Sequence, residues 1–230
     1  METLKTLLAQ KVSSNITYSI LIVTIKNEDF EMAQLQKLQE TFGIKLLIHP
    51  LKSFNKCKLL NYAASKSVAD FMWFSDSDIL YSPRYLQNAI NKLKPNSNDI
   101  FLTEINEFLP DNSIKDKQRN LWFRYDIKGS TTSNSPIQFG FGIPIVRRQL
   151  FLEVGGYDTR YAGWGYEDKD LIQRLCRFGS SIQTCDPSSS HYAIHQYHTR
   201  EKPTKSTQWN KLRFTISNHC SRTKIPFLYM

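Results

Sequence analysis

The feature that most constrains the fold is an alternation across residues 17–104. TYSILIVTI (17–25) is a near-continuous apolar run rich in β-branched residues and predicts a buried strand. In DFEMAQLQKLQETF (29–42), Met32, Leu35, Leu38 and Phe42 recur at helical spacing, and Gly43 stops the helix. KLLIH (45–49) predicts a second strand, 56–68 a helix, FMWFS (71–75) a third strand, 83–93 a helix and DIFLTE (99–104) a fourth strand. Such repetition predicts an α/β fold with a mostly parallel central sheet flanked by helices. Sheets of that kind bind ligands beyond the carboxyl ends of their strands. Asn27 and Glu28 follow the first strand and Asp76 and Asp78 the third, so both places are expected to face one crevice.

After residue 104 the pattern loosens. Residues 105–136 are polar and turn-rich, a long loop region with some helix. IQFGFGIPIV (137–146) reads as a strand broken by Gly140 and Gly142, where a backbone can approach a ligand closely. A short helix is expected at 148–154, a glycine-rich aromatic loop at GGYDTRYAGWGY (155–166), a helix over 167–178 closed by Gly179, and a last strand at 181–185. Residues 199–230 hold seven Lys or Arg against one Glu, without a pattern that assigns a fold.

The 40% hydrophobic and 22% charged content excludes a disordered chain, and 230 residues suit one large domain or two small ones. The net charge of +9 points to an anionic partner. Cys57, Cys176, Cys185 and Cys220 form no CxxC pair, which argues against a zinc site and reads as reduced thiols. The first residues lack a secretory-type apolar run, and the longest apolar stretch, 18–25, is far short of the ~20 residues of a membrane span. The expected location is therefore cytoplasmic, or peripheral at the inner face of a membrane.

Two segments carry chemistry. Asp76 and Asp78, one residue apart past a strand end, suit a hard divalent cation such as Mn²⁺ or Mg²⁺ held between the protein and a diphosphate. The plainer reading is that Ser75 or Asp76 caps the helix near Pro83. In GWGYED (163–168) the glycines permit a tight backbone and Trp164 offers a flat face to a sugar ring. Glu167, Asp168 and Asp170 fall in the first turn of a helix, where its dipole favours acids. A well-capped helix would account for them, but not for a tryptophan bracketed by glycines just before it.

Three ordered stretches are similar to one family. FNKCKLLN (54–61) with FMWFSDSDI (71–79), then FGIPIV (141–146) through GGYDTRYAGWGYEDKDLIQRL (155–175), then HTREK (198–202), resemble glycosyltransferases of the GT-A fold, and most closely the β1,4-galactosyltransferase group. The resemblance implies a Rossmann-like nucleotide-binding half, about 15–104, and an acceptor-binding half, about 105–202, of one domain, with 203–230 as a basic tail. It implies that Asp78 ligates the metal with Asp76 in support, and that His198 is the metal-binding histidine. His195, where many relatives place a methionine ligand, is a second candidate. Phe54, Lys56 and Lys58, with Asn27 and Trp164, are the expected contacts to the nucleotide-sugar donor. Asp168 is the expected general base with Glu167 beside it, and Trp164, Tyr166, Lys169 and Phe139 line the acceptor side.

Three departures from the family pattern concern specificity. Tyr166 replaces the last glycine of GWGGED, Lys169 replaces an acidic acceptor contact, and Phe139 stands where some relatives use a tyrosine. The implied reaction is inverting, Mn²⁺- or Mg²⁺-dependent transfer of a hexose or N-acetylhexosamine from a UDP-sugar to a glycan or lipid-linked glycan. The basic tail would contact a membrane. Competing readings are a metal-dependent nucleotidyltransferase or phosphohydrolase, a non-catalytic carbohydrate-binding relative, and a basic nucleic-acid-binding protein. No nucleic-acid-binding motif supports the last of these.

Overall fold

Most of the predicted elements form where the pattern places them. The computed structural model describes residues 2–26, 29–94, 96–103, 105–108, 114–115, 143–184, 193–196, 205–220 and 223–226. In chain order these give α1 (Glu2–Leu8), β1 (Leu21–Ile25), α2 (Asp29–Phe42), β2 (Lys45–His49), α3 (Lys56–Lys66), β3 (Phe71–Trp73), β4 (Ile79–Tyr81) and α4 (Tyr85–Lys92). They continue with β5 (Ile100–Phe101), β6 (Ile105–Phe108), β7 (Ile114–Lys115), β8 (Ile145–Arg147), α5 (Arg148–Glu153), α6 (Glu167–Arg177), β9 (Ile182–Gln183), β10 (Ala193–His195) and α7 (Lys205–His219). The chain divides into two units. One comprises Met1–Ile16, Phe71–Arg147 and Leu175–Lys202, the other Thr17–Asp70, Arg148–Arg174 and Pro203–Met230. The units interleave along the sequence, so neither is a consecutive half of it.

The first unit holds two four-stranded sheets, ordered β3-β8-β5-β9 and β4-β10-β6-β7. Trp73, at the end of β3, stacks on Tyr85 at a centroid distance of 5.0 Å and meets Tyr81 edge-on at 4.5 Å. Around these rings a core forms from Ile79, Leu86, Phe101, Ile143, Ile145 and Ala193. The apolar run before the aspartates thus ends in an aromatic cluster that fixes the following turn.

In the second unit β1 and β2 pair in parallel, Leu21 opposite Lys45 through Ile25 opposite His49. Asn55 caps α3 by accepting from the Lys58 backbone N–H at 3.0 Å. Cys57, Asn61 and Ala64 lie on the buried side of that helix. α2 ends at Gly43, whose φ of 63° is the left-handed conformation favoured after a helix.

Three expectations are corrected. The ladders are mixed rather than mostly parallel: among the described residues β1–β2, β6–β10 and β5–β9 are parallel, and β3–β8, β5–β8, β4–β10 and β6–β7 are antiparallel. Parallel neighbours need a long crossover, usually a helix. No helix separates β3 from β4, and the regular alternation ends after β5, which frees later strands to run antiparallel. β1 is half-buried rather than buried, because its sheet has two strands. The 105–136 region contains strands β6 and β7 where loop and helix were expected.

Candidate active site

The aspartate turn is built residue by residue. Phe74 N–H donates to the Pro144 carbonyl at 3.0 Å. The Tyr81 hydroxyl donates to Ser75 Oγ at 2.8 Å, and Ser75 Oγ donates to the Asp76 carbonyl at 2.9 Å. Thr3 Oγ1 of α1 donates to the Ser77 carbonyl at 2.7 Å. Gln196 N–H donates to the Asp78 carbonyl at 2.8 Å. Each residue from Phe74 to Asp78 is therefore held through a backbone or hydroxyl bond. The capping alternative fails here: α4 begins at Tyr85 after Arg84, which makes no side-chain cap, and β4 intervenes.

Strand register brings a histidine to this turn. β10 runs antiparallel to β4 with His195 opposite Ile79, the residue after Asp78. His195 Nε2 stands 3.3 Å from Asp78 Oδ2, both side chains partly exposed. Neighbouring ligands of an ion bound at about 2.1–2.2 Å stand about 3 Å apart, so this spacing fits one divalent cation. A carboxylate oxygen with an imidazole nitrogen is a donor set that Mn²⁺ accepts. Among the described residues no group of three His, Cys, Asp or Glu gathers around an ion-sized space. His198 lies outside the described residues, as do Asn27 and Phe139.

A second cluster forms in the other unit, around the first turn of α6. Lys56 Nζ is 3.0 Å from Asp168 Oδ2 and 3.7 Å from Glu167 Oε1. Lys56 starts α3, where Asn55 Nδ2 also donates to the Tyr161 carbonyl at 3.2 Å. Asn61 and Tyr157 exchange two bonds, Asn61 Nδ2 to the Tyr157 carbonyl and Tyr157 N–H to Asn61 Oδ1, each 2.9 Å. One short helix thus fixes the segment leading to GWGYED and supplies the cation beside its acids. Burial raises the Glu167 carboxyl to about 7, the Asp168 charge adds to this, and the Lys56 ammonium opposes it. Burial lowers the Lys169 amine to about 8, and its ammonium lies 5.2 Å from the centre of the Tyr166 ring. Phe54 is 67% exposed just before α3. Lys58 lies in the first turn of that helix.

The loop before α6 is strained as the sequence foretells. Gly163 and Gly165 have φ of 67° and 100°. A Cβ on Gly163 would sit 2.6 Å from Ser206 Oγ of α7, which would have to move to admit it. Between them Trp164 is 68% exposed, open to a ligand. Tyr166 holds φ of 73°, among the described residues the one non-glycine in the left-handed region. α7 braces this loop: Asn210 Nδ2 donates to the carbonyls of Ala162 at 2.9 Å and Trp164 at 3.4 Å. Behind it, the buried Arg174 binds Asp170 Oδ2 at 2.7 Å and the carbonyls of Val154 and Gly156 at 2.9 and 2.7 Å. Ser217 donates to Asp170 Oδ1 at 3.0 Å.

Asn55, Asn61, Arg174 and Asn210 were not assigned roles from sequence. Asn61 left a signal, a polar residue in the apolar stripe of a helix. Asn210 left none, since the basic tail offered no pattern to place it.

Residues 1–155, more than half of the chain, match the family described as glycosyl transferase family 2. The chain belongs to that family. Residues 129–199 of this family 2 member also match the description N-terminal domain of galactosyltransferase. Beta-1,4-galactosyltransferase 4 of Mus musculus is 27% identical over 175 residues, covering 73% of this chain and 42% of that protein. The chain thus spans less than half the length of this relative. Among solved structures, S. aureus TarS 1-349 in complex with UDP has a TM-score of 0.61 at 15% identity, covering 85% of this chain and 56% of that one. GalNAc-T7 with UDP, GalNAc and Mn2+ has a TM-score of 0.61 at 14% identity, covering 91% and 46%. These likenesses give the family 2 chain its fold, the α/β GT-A fold of glycosyltransferases.

Proposed function

We propose that the chain is an inverting, metal-dependent glycosyltransferase that moves a hexose or N-acetylhexosamine from a UDP-sugar to a hydroxyl of a glycan. The observation that carries this reading is the pairing of Asp168 with Lys56 in the first turn of α6, directly after the exposed Trp164. A phosphohydrolase would need the carboxylates but not the glycine-bracketed indole. Sugar rings stack on such a face through their C–H groups, and the carboxylate of Asp168, four residues on, takes the proton of the attacking hydroxyl. Lys56 offsets the charge of Asp168 and Glu167 together. Attack from the face opposite the leaving group inverts the anomeric centre.

Asp78 and His195 would hold a divalent cation, with Asp76 in the same turn and His198 further along the chain. When bound, such an ion acts as a Lewis acid toward the leaving diphosphate. The chain's own part is to keep the Asp78 carboxylate in place through the bonds that fix its backbone. Phe54, Lys56, Lys58 and Asn27 remain the proposed donor contacts, and Tyr166, Lys169 and Phe139 the acceptor contacts. The net charge of +9 suits an anionic nucleotide and a lipid-diphosphate-linked acceptor in surface polysaccharide or glycoconjugate synthesis, at a cytoplasmic location or the inner membrane face.

A panel of nucleotide sugars with Mn²⁺, scored for release of free nucleotide diphosphate with and without glycan acceptors, tests the reading. Turnover of a UDP-sugar that requires Mn²⁺ is the expected outcome. Release of pyrophosphate or inorganic phosphate in its place would move the protein to another reaction class.

A further inference from the structure

α7 is inverted relative to an ordinary surface helix. Its buried residues are Asn210 and Ser217, both polar, and both are spent on hydrogen bonds to the loop 162–164 and to Asp170. Its exposed side carries Trp209, Leu212 and Ile216, which are 68%, 49% and 55% exposed. At about 3.6 residues per turn these three side chains fall within about 60° of one another, a continuous apolar stripe. A surface helix normally turns that stripe toward the core. Here the inward side, with Asn210, Phe214 and Ser217, is committed to the GWGY loop and Asp170, so the apolar stripe is left for an external surface.

The charges select the occupant. Pro203–Met230 contains Lys205, Lys211, Arg213, Arg222 and Lys224 and neither Asp nor Glu. By helical spacing the exposed Lys205 shares the face of the apolar stripe, whereas Arg213 is half-buried with its guanidinium 6.0 Å from the centre of the Tyr161 ring. A second copy of this chain would bring two such cationic stretches against each other, whereas an anionic lipid surface neutralises them. Tryptophan with flanking cations also matches the boundary between headgroup and acyl chain. No helix among the described residues is long and apolar enough to cross a membrane, so the contact is one that lies on the surface.

We infer that α7 docks the protein on an anionic membrane through Trp209, Leu212 and Ile216, with Lys205 against the headgroups. The helix that holds the Trp164 loop by one side thereby carries that loop to the bilayer. This deepens the proposed membrane contact and rests on the glycosyl-transfer reading only for the lipid-linked acceptor.

Sedimentation of the full chain with vesicles of phosphatidylcholine, with and without phosphatidylglycerol, tests it without any nucleotide sugar present. Wild type is expected to sediment with the anionic vesicles and to be released by high salt. Trp209→Ser/Leu212→Ser/Ile216→Ser is expected to weaken this about tenfold or more. Its turnover of a UDP-sugar with a water-soluble acceptor is expected to stay at the wild-type level. Lys205→Glu, which keeps the apolar stripe, is expected to weaken the preference for anionic vesicles. Equal sedimentation of wild type and the triple-serine variant would overturn the inference. So would a dimer in solution that this variant disperses while neither form binds vesicles, which would assign the stripe to a second copy. A chain that docks but transfers no sugar would leave docking intact and remove the enzymatic reading.

Discussion

Lys56 Nζ stands 3.0 Å from Asp168 Oδ2 across 112 residues of sequence, and the same ammonium is 3.7 Å from Glu167 Oε1. One cation therefore serves two adjacent, largely buried acids. Replacing it by a neutral side chain of similar length leaves both without a counter-charge. Lys56→Met is expected to cost about 2 kcal/mol of stability at pH 8, and less below pH 6, where a proton on Glu167 takes over part of the role. Chemical denaturation at the two pH values checks this. An equal loss at both would mean that the pairing is incidental.

Glu167 gives a separate pH signature. Its carboxyl is raised from an ordinary 4.5 to about 7, chiefly by burial. A group raised in the folded state contributes its stability fully below about pH 4.5 and loses it as pH rises through about 7. The Glu167 share amounts to at most about 3 kcal/mol. Glu167→Gln is expected to flatten the fall in stability between pH 5 and 8. A variant whose pH–stability curve parallels wild type would place the titration elsewhere.

Asp168→Asn retains the shape of the side chain and removes its basicity. Turnover is expected to fall about 10²–10⁴-fold with donor affinity kept, the loss typical of an absent general base. Steady-state kinetics beside calorimetric titration of UDP separate the two quantities. Wild-type turnover would contradict the assignment of the base.

At the other cluster, Asp78→Ala is expected to abolish the Mn²⁺-dependent part of UDP binding, and His195→Ala to weaken it about 10–100-fold. Titrating UDP with and without Mn²⁺ is the measurement. Nucleotide affinity that ignores both the metal and these substitutions would remove Asp78 and His195 from any metal site.

The sequence reveals elements whose pattern is local and is silent where partners are distant. α2 and β2 run over the residues that periodicity picks out, because a 3.6-residue stripe and a β-branched run need no knowledge of the rest of the chain. The three-residue β4 and β10 carry no such pattern, and their pairing is what brings His195 to Asp78. Lys56 was read as a nucleotide contact, because nothing local to FNKCKLLN shows that Asp168 lies beside it. α7 escaped notice for a different reason. Its two fully buried residues, Asn210 and Ser217, are polar, so the usual sign of a packed helix is weak.

Tyr166 offers a direct check on the backbone of the GWGYED loop. Its φ of 73° suits glycine, and its ring lies 5.5 Å from that of Phe214 on α7, with the Lys169 ammonium on its face. The ring contacts offset a conformation that costs an L-residue about 1–2 kcal/mol. Tyr166→Ala loses the contacts and keeps the strain, whereas Tyr166→Gly loses both. The glycine variant is therefore expected to be the more stable of the two by about 1 kcal/mol, a difference in Tm of about 2–4 °C. This reverses the ordinary ranking, in which glycine falls about 0.5–1 kcal/mol below alanine inside regular structure. Thermal melts of the two variants decide it: an alanine variant as stable as the glycine one would mean that residue 166 is not held in the left-handed region, and that the replaced glycine of GWGGED reports on the acceptor rather than on the backbone.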